Sequence, residues 1–287
     1  MLGVERLPIA DDPALDARLR QSVLAAIVMR DLELVAGDGG VEVADTGRVI
    51  PWRLVAALCR GRDAEQPATR AALGGWLAAV DAVARRSPDD LLARARPLGL
   101  PRGHVLHPGP TWVRRAVLGG SLDVGLGLLG LHGDEDVVDP LLAGVAEVLG
   151  HDTSTWWRRA RGYLEEMGAI AAQRYARDPA EALRPMGDCD VVTLLGSQVF
   201  RAALVGARGS RPAAVPMRTR GWLDPGRTDP AFAVAAAALT EPPDRGFDRP
   251  VLFTVDEVVI ARDGGRPVHQ SLREPAAPDP RPLQTLG

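Results

Sequence analysis

Apolar residues recur at the spacing of an α-helix through most of the first hundred positions. The first helix is predicted over 13–30, because Asp12 and Pro13 suit an N-cap and a first helical turn. Its apolar stripe consists of Leu15, Leu19, Val23 and Ile27. Three more helices are predicted over 52–60, 67–86 and 87–96.

Between the first two helices the pattern is ambiguous. Short apolar runs over 32–36 and 41–44 flank the turn residues at 37–40, Gly-Asp-Gly-Gly, which favours a β-hairpin. The alternative is that the first helix continues to Gly37 as its C-cap. Of these two interpretations, we expect the hairpin.

The helical spacing then gives way to an alternation of apolar and small residues. Proline and glycine predict a loop over 98–110, followed by strands over 112–118 and 122–131. The apolar face of the second strand is formed by Leu122, Val124, Leu126 and Leu128. Gly125 and Gly127 fall on its other face, where a neighbouring group is expected to pack closely.

The remainder of the chain alternates between helical and strand-like segments. The predicted helices cover 141–149, 155–177 and 229–239. The predicted strands cover 191–195 and 213–219, the latter at a sheet edge because Pro216 cannot donate a hydrogen bond. Residues 199–205 fit either element, and 251–261 fit one long strand or a tight hairpin.

These elements predict an α+β protein, with a mainly helical N-terminal part followed by a mixed part of a largely antiparallel sheet and packed helices. We expect the helical part to cover 1–98 and the mixed part 99–270, as two units or around one shared core. Residues 271–287 are rich in proline and are expected to form a disordered tail.

The composition is that of a globular protein: 287 residues, 46% apolar, 25% charged, with a net charge of -3. All 34 basic residues are arginine, as is typical of proteins from GC-rich bacterial genomes. An arginine here therefore indicates anion recognition less strongly than usual.

Two distant cysteines, Cys59 and Cys189, exclude a disulfide framework. With acids in its first residues and no long apolar run, the chain is expected to be soluble and cytoplasmic.

Charge is distributed unevenly along the chain. Residues 53–115 contain eleven arginines and five acids, whereas 116–157 contain seven acids and no basic residue. One interpretation is an acidic surface for a cation, a basic peptide or another partner. We favour the other, in which the two segments pair with each other through ion pairs.

Gly125, Gly127 and Gly130 form a GxGxxG string, which marks a dinucleotide site when a strand precedes it and a helix follows. Here the glycines lie inside a predicted strand. The acidic segment 132–136 follows them, and its carboxylates would repel a pyrophosphate. We therefore expect close packing at the glycines and no bound cofactor.

Four of the five histidines lie near this strand pair. His104, His107 and His132, with Asp134 and neighbouring aspartates, could ligate a metal ion or form an acid–base pair. The HxxH spacing falls in a predicted loop and matches no standard metal motif, so no metal is assigned. The alternative is that these histidines make ordinary hydrogen bonds.

A second candidate site lies in the arginine-rich segment 208–227, which has five arginines and one acid. Arg218, Arg220 and Trp222 combine positive charge with an aromatic ring, a pattern that could hold a small anionic ligand. The pI near 6.0 argues against nucleic acid as the partner. The alternative is an exposed loop and strand.

No nucleophile has the expected surroundings. Ser197 follows a predicted strand, but its sequence context is not the GxSxG elbow. Cys189 opens an apolar run and is expected to be a small buried hydrophobe. No catalytic residue is assigned.

We therefore expect a protein that binds a partner protein or a small ligand without catalysis, with a homodimer as one form of assembly. The candidate binding residues are His104, His107, His132, Asp134, Arg218, Arg220 and Trp222. Neither a membrane nor nucleic acid is expected as a partner. The alternative is a metal-assisted or acid–base hydrolase that uses the His/Asp cluster in 104–152.

Overall fold

The structure, a computed structural model, describes residues 13–59, 66–131, 135–178, 182–223 and 227–261. Within these ranges, nine α-helices and three antiparallel sheets form an α+β protein, which confirms the predicted class. The predicted tail, 271–287, lies outside the described residues. Among the described helices, none is both long enough and apolar enough to span a membrane.

The N-terminal part is mainly helical and contains one small sheet. Its elements are α1 (Pro13–Arg30), β1 (Leu34–Ala36), β2 (Gly40–Val43), β3 (Arg48–Pro51), α2 (Trp52–Leu58), α3 (Pro67–Ala84) and α4 (Pro88–Arg94). The hairpin interpretation of the segment after α1 is confirmed, since β1 pairs antiparallel with β2 and β2 with β3. Ser87 caps α4 by accepting a hydrogen bond from the Asp90 backbone at 3.1 Å.

The second sheet follows directly. It is built from β4 (Ala95–Pro101), β5 (Arg114–Leu118), β6 (Leu122–Leu129) and β7 (Val138–Pro140), in the order β4-β6-β5, with β7 also paired to β6. The loop predicted from residue 98 is wrong as far as Pro101, because these residues continue an edge strand. Prolines are tolerated at a sheet edge, where the missing N–H would face outward. Gly99, midway between Pro97 and Pro101, donates a backbone hydrogen bond to Thr193 Oγ1.

The remaining elements place helices around a third sheet. They are α5 (Ala143–Val148), α6 (Thr153–Arg177), α7 (Val191–Leu194), α8 (Gln198–Val205), β8 (Arg211–Met217), β9 (Arg220–Trp222), α9 (Pro230–Ala238), β10 (Val251–Phe253) and β11 (Val258–Ile260). The strand order is β11-β10-β8-β9, all antiparallel. Residues 251–261 therefore form the tight hairpin rather than one long strand.

Two strand predictions in this region are wrong. Residues 191–194 form a helix, because Asp190 accepts a hydrogen bond from Thr193 N at 2.6 Å and so caps a helical turn. The strand β8 lies inside its sheet rather than at the edge. Pro216 is accommodated there because the β8–β9 register is irregular between Ala214 and Met217.

The glycines of β6 are sites of close packing, as predicted. A Cβ on Gly125 would lie 2.6 Å from the Trp112 ring, and one on Gly127 would lie 2.8 Å from the Asp139 carbonyl oxygen. The opposite, apolar face of β6 contributes to two hydrophobic cores. Leu126 and Leu128 belong to the N-terminal core, which runs from Leu19 to Ala160, and Leu122 and Val124 belong to the C-terminal one.

Candidate functional site

The structure locates five of the seven predicted site residues, whereas His132 and Asp134 lie outside the described residues. His104 and His107 lie in the loop between β4 and β5, each with one ring nitrogen bonded to the backbone of that loop. In the described part of the chain, no group of three or more His, Cys, Asp or Glu side chains could hold a metal ion.

His107 is bound to the buried carboxylate of Asp123. Its Nδ1 accepts a hydrogen bond from Gly109 N at 2.9 Å, so the ring proton lies on Nε2, which donates to Asp123 Oδ2 at 3.0 Å. The ring also packs edge-on against Trp112. Both nitrogens are therefore occupied by the protein itself, and neither is left to accept a proton from a substrate.

Asp123, on β6, is only 1% exposed and is surrounded by positive charge. Arg114 donates to its Oδ2 at 2.9 Å, and Arg102 lies 3.5 Å from its Oδ1. Burial alone would raise the pKa of Asp123, but the hydrogen bonds from Arg114 and His107 outweigh it and lower the pKa. The carboxylate is thus held ionised in a polar cluster.

Ion pairs also join the basic and acidic segments of the chain. Arg94 contacts Glu135 at 2.9 Å, and Arg102 and Arg114 both pair with Asp123. The interpretation that the two segments pair with each other is confirmed for these residues.

His104 is half-buried in the same loop. Its Nδ1 accepts a hydrogen bond from Leu106 N at 3.1 Å. Its Nε2 is buried beside the backbone of Arg245 without a hydrogen bond of normal geometry within the described chain. Burial lowers the pKa of His104, and the charge of Arg218 lowers it further, so the imidazole is neutral near pH 7.

The three residues of the predicted anion site have different surroundings in the described structure. Arg218 Nε donates to Asp190 Oδ2 at 2.6 Å. Arg220 lies with Arg184 at a shallow depression, and Trp222 packs edge-on against Phe232 of α9. An anion site at these residues stays a prediction.

An acidic cleft of about 260 Å³ is lined by residues of both β4 and β7. Its apolar floor is formed by Leu98, Leu100, Leu106 and Val138. Its walls carry Asp136, Asp139, Asp188, Asp190 and Asp244, together with the single cation Arg218. The aspartates and Arg218 come from four separate segments: the turn and strand around β7, the residues before α7, the loop after β8 and the loop after α9.

Two of these carboxylates are held in fixed positions. Asp190 accepts from Thr193 N through Oδ1 and from Arg218 through Oδ2. Asp188 is bound by Arg96 Nε at 2.5 Å, and the Arg96 guanidinium stacks over Tyr163. The lining thus contains five carboxylates and one guanidinium, which makes its composition acidic.

Three described residues with a hydroxyl or thiol, Cys189, Thr193 and Ser197, are not arranged as nucleophiles. Burial raises the pKa of the Cys189 thiol to about 12, as expected for a buried hydrophobe. Ser197 is fully buried and donates to Glu165 Oε2 at 2.6 Å, while Thr193 Oγ1 accepts from Gly99 N. These hydroxyls serve the packing of helices rather than chemistry in the cleft.

The larger groove beside α1 and α3, about 540 Å³, is less suited to a ligand. It is lined by both signs of charge, from Arg30, Arg85, Arg86, Asp31 and Asp81. Asp81 is already bound to Arg85 at 2.6 Å and accepts a hydrogen bond from Glu33 N. Its charges therefore compensate one another within the protein.

Sequence reasoning did not identify the aspartates at 188, 190 and 244, because no sequence spacing connects them with those at 136 and 139. No protein-family model matches the chain, and neither a curated protein nor a solved structure matches it significantly. The fold and the site define an α+β protein with an acidic cleft, and its function is inferred from that cleft.

Proposed function

We propose that this protein binds a small organic cation, without catalysis, in the acidic cleft beside β4. The observation that carries the proposal is the combination of five wall aspartates with an apolar floor in one cleft of about 260 Å³. Ligand sites typically combine an apolar lining with a few placed polar groups.

The charge of the cleft favours a ligand of opposite, positive charge. A desolvated anion would face an excess of carboxylates, whereas a cation would be attracted by them. Arg218 does not reverse this preference, because its guanidinium is bound to Asp190. The small anionic ligand expected from the sequence is therefore the less favoured occupant of this cleft.

The volume of the cleft and its apolar floor indicate the size and hydrophobicity of the ligand. Its volume lies below the ~300–1,000 Å³ typical of drug-sized sites, which favours a small molecule. Leu98, Leu100 and Val138 form a surface that would bury a short hydrocarbon chain. An alkyl amine or alkyl guanidine has both required features, a cationic head and an apolar stem.

The test is calorimetric titration of the full chain with n-butylguanidine, and with pentanamide and pentanoate as neutral and anionic probes. We expect heat of binding for the guanidine alone, with an affinity that falls as salt is added. Asp244→Asn should weaken this binding severalfold, because it removes one wall charge at an exposed position.

The matched control is Asp248→Asn, which removes an exposed aspartate four residues away that does not line the cleft. Its affinity for n-butylguanidine should equal that of the unmodified chain. Equal binding of pentanoate, or equal weakening by both substitutions, would contradict the proposal.

A further inference from the structure

A basic depression adjoins the acidic cleft. It has a volume of about 330 Å³ and is lined by Arg184, Pro185, Met217, Thr219 and Arg220. Thr219 also lines the cleft, so the two sites share a wall at the turn between β8 and β9. The described lining of the depression contains two arginines and no acid, whereas that of the cleft contains five aspartates. Opposite charges therefore line the two sites that meet at this turn.

Backbone pairing brings the two arginines together. Leu183 N donates to the Gly221 carbonyl oxygen at 2.7 Å, and Gly221 N donates to that of Leu183 at 3.1 Å. The next positions on these two segments are Arg184 and Arg220, which are therefore opposed across the antiparallel bridge. Like charges at opposed positions repel each other. An anion bound between the two guanidinium groups would offset that repulsion and accept charge-assisted hydrogen bonds from both.

The turn that joins the two sites is held in place from the side of the cleft. Arg218 N donates to the Asp244 carbonyl oxygen at 2.8 Å, and Val191 N donates to the Arg218 carbonyl oxygen at 2.7 Å. The Arg218 guanidinium is bound to Asp190. Arg220, two residues further on, is exposed in the depression and forms no ion pair with a described residue. The cleft and the depression thus have a fixed position relative to each other.

We propose that the ligand of the acidic cleft carries a carboxylate at its far end, and that Arg184 and Arg220 bind this carboxylate. The ligand is then a small zwitterion, an alkyl guanidine or alkyl amine with an acid group, which lies across Thr219. The two sites fix its orientation, because the reversed molecule would place its carboxylate beside the aspartates and its cation beside the arginines. This inference rests on the proposed function, since the cleft must hold the cationic head.

A carboxylate without the cationic head should bind weakly, as expected above for pentanoate. Arg184 and Arg220 are both exposed, and an ion pair at an exposed position contributes little by itself. Once the cationic head is held in the cleft, an acid group on the same molecule reaches the arginines at a high effective concentration. The carboxylate is therefore expected to strengthen binding only as part of the same molecule as the cation.

The test is calorimetric titration of the full chain with ω-guanidino acids of increasing length, from guanidinobutanoate to guanidinooctanoate, and with the amide of each acid. Each amide matches its acid in length but has no negative charge. We expect at least one acid to bind about fivefold more tightly than its amide. The amides should bind about as tightly as n-butylguanidine, since they share its cationic head.

The variant that tests the arginine pair is Arg220→Gln. It should lower the affinity for the acid about fivefold, to that of the matched amide. The control is Arg208→Gln, which removes an exposed arginine that lines neither the cleft nor the depression. This control should keep the preference for the acid over its amide. Both side chains are exposed, and the thermal transition checks that each variant is folded.

Each outcome decides the proposal. If every acid binds no more tightly than its amide, this inference is overturned, while binding of n-butylguanidine still supports the proposed function. If neither n-butylguanidine nor any acid or amide binds, the proposed function is overturned and this inference with it. An equal loss of acid binding in Arg220→Gln and Arg208→Gln would assign the preference to net charge and would overturn the site at Arg184 and Arg220.

Discussion

At Asp123, hydrogen bonds and nearby positive charges compensate part of the hydration that the buried carboxylate has lost. His107 and Arg114 both donate to Oδ2, and Arg102 lies near Oδ1. Removing the Asp123 carboxylate leaves the buried His107 ring without its acceptor and the two arginines without their ion-pair partner. Asp123 therefore fixes the loop that carries His107 to the sheet.

We predict that Asp123→Asn lowers the free energy of unfolding by about 2 kcal/mol. This is below the value for a fully buried pair, because solvent screens the partly exposed Arg102 and Arg114. Urea unfolding at pH 7 measures the loss. The control is Glu135→Gln, which removes a 72% exposed partner of Arg94 and should change stability by less than ~0.5 kcal/mol.

The difference in unfolding free energy between the native chain and Asp123→Asn should also depend on pH. The pKa of Asp123 is lowered in the folded state from its ordinary value of 3.8, so its contribution is complete above that value. The contribution is lost as pH falls through the folded-state pKa. The stability difference between the native chain and Asp123→Asn should thus be constant from pH 5 to 7 and narrow below pH 3.8. A difference that widens on acidification would contradict this assignment.

Arg201 is a second buried charge, 3% exposed, but its partners are backbone carbonyls. Nε and one terminal nitrogen donate to the Val255 carbonyl oxygen, and the other terminal nitrogen donates to that of Leu195. Burial lowers the pKa of Arg201. The planar guanidinium thus joins the end of α7 to the β10–β11 turn.

We predict that Arg201→Lys destabilises the protein by about 2 kcal/mol, although the charge is retained. An ammonium group cannot present the planar fork that bonds two separate carbonyls. Thermal and urea unfolding measure the effect. Arg208→Lys, at an exposed position just beyond α8, should be neutral, and equal effects of the two substitutions would disprove this role for Arg201.

At the scale of elements, the contact between α6 and α8 depends on one glycine. A Cβ on Gly168 would lie 2.7 Å from Ser197 Cβ, at the N-cap of α8. One turn earlier on α6, Glu165 accepts from the Ser197 hydroxyl and the Val199 backbone. The two helices are thus joined by close packing and by a shared cap.

We predict opposite effects of two Gly-to-Ala substitutions in α6. Gly168→Ala should destabilise by about 2 kcal/mol, because the added methyl group displaces the start of α8. Gly162→Ala should stabilise by about 0.5–1 kcal/mol, since nothing lies within 4 Å and alanine favours the helix. Differential scanning calorimetry measures both, and shifts of the same sign would contradict the packing described.

At the scale of the whole molecule, β6 and α6 connect two hydrophobic cores. Trp156 and Ala160 of α6 belong to the N-terminal core, and Leu164 and Ala171 to the C-terminal one. The N-terminal core also takes residues from β6 and α5, which lie beyond position 98. Packing therefore extends across the boundary that the predicted elements place at residue 98.

We predict that a fragment of residues 1–98 does not fold by itself. It would lack β6, α5 and α6, whose side chains complete the core around Leu73, Leu77 and Val80. Its circular dichroism should show no cooperative urea transition, whereas the full chain should show one. A cooperative transition in the fragment would instead support an independent N-terminal unit.

Local sequence was sufficient to predict the long helices, the hairpin after α1 and the close packing at Gly125 and Gly127. Apolar spacing and capping residues act over a few positions and are therefore visible in a linear pattern. The same pattern misassigned residues 191–194, where valines suggest a strand. A helix forms there instead. It is stabilised by the capping hydrogen bond from Thr193 N to Asp190 and by the contact of Thr193 with β4.

The sequence by itself determined the α+β class, the charge segments and the lack of a recognisable catalytic motif. Only the tertiary structure decided which charges meet. It paired Asp123 with His107, Arg102 and Arg114, and it gathered five aspartates from distant segments around one cleft. The physical reason is that electrostatic and packing interactions depend on distance in space, which is set partly by contacts between residues far apart along the chain. One example is the hydrogen bond from Ile260 N to Ser121 Oγ, which spans 139 positions.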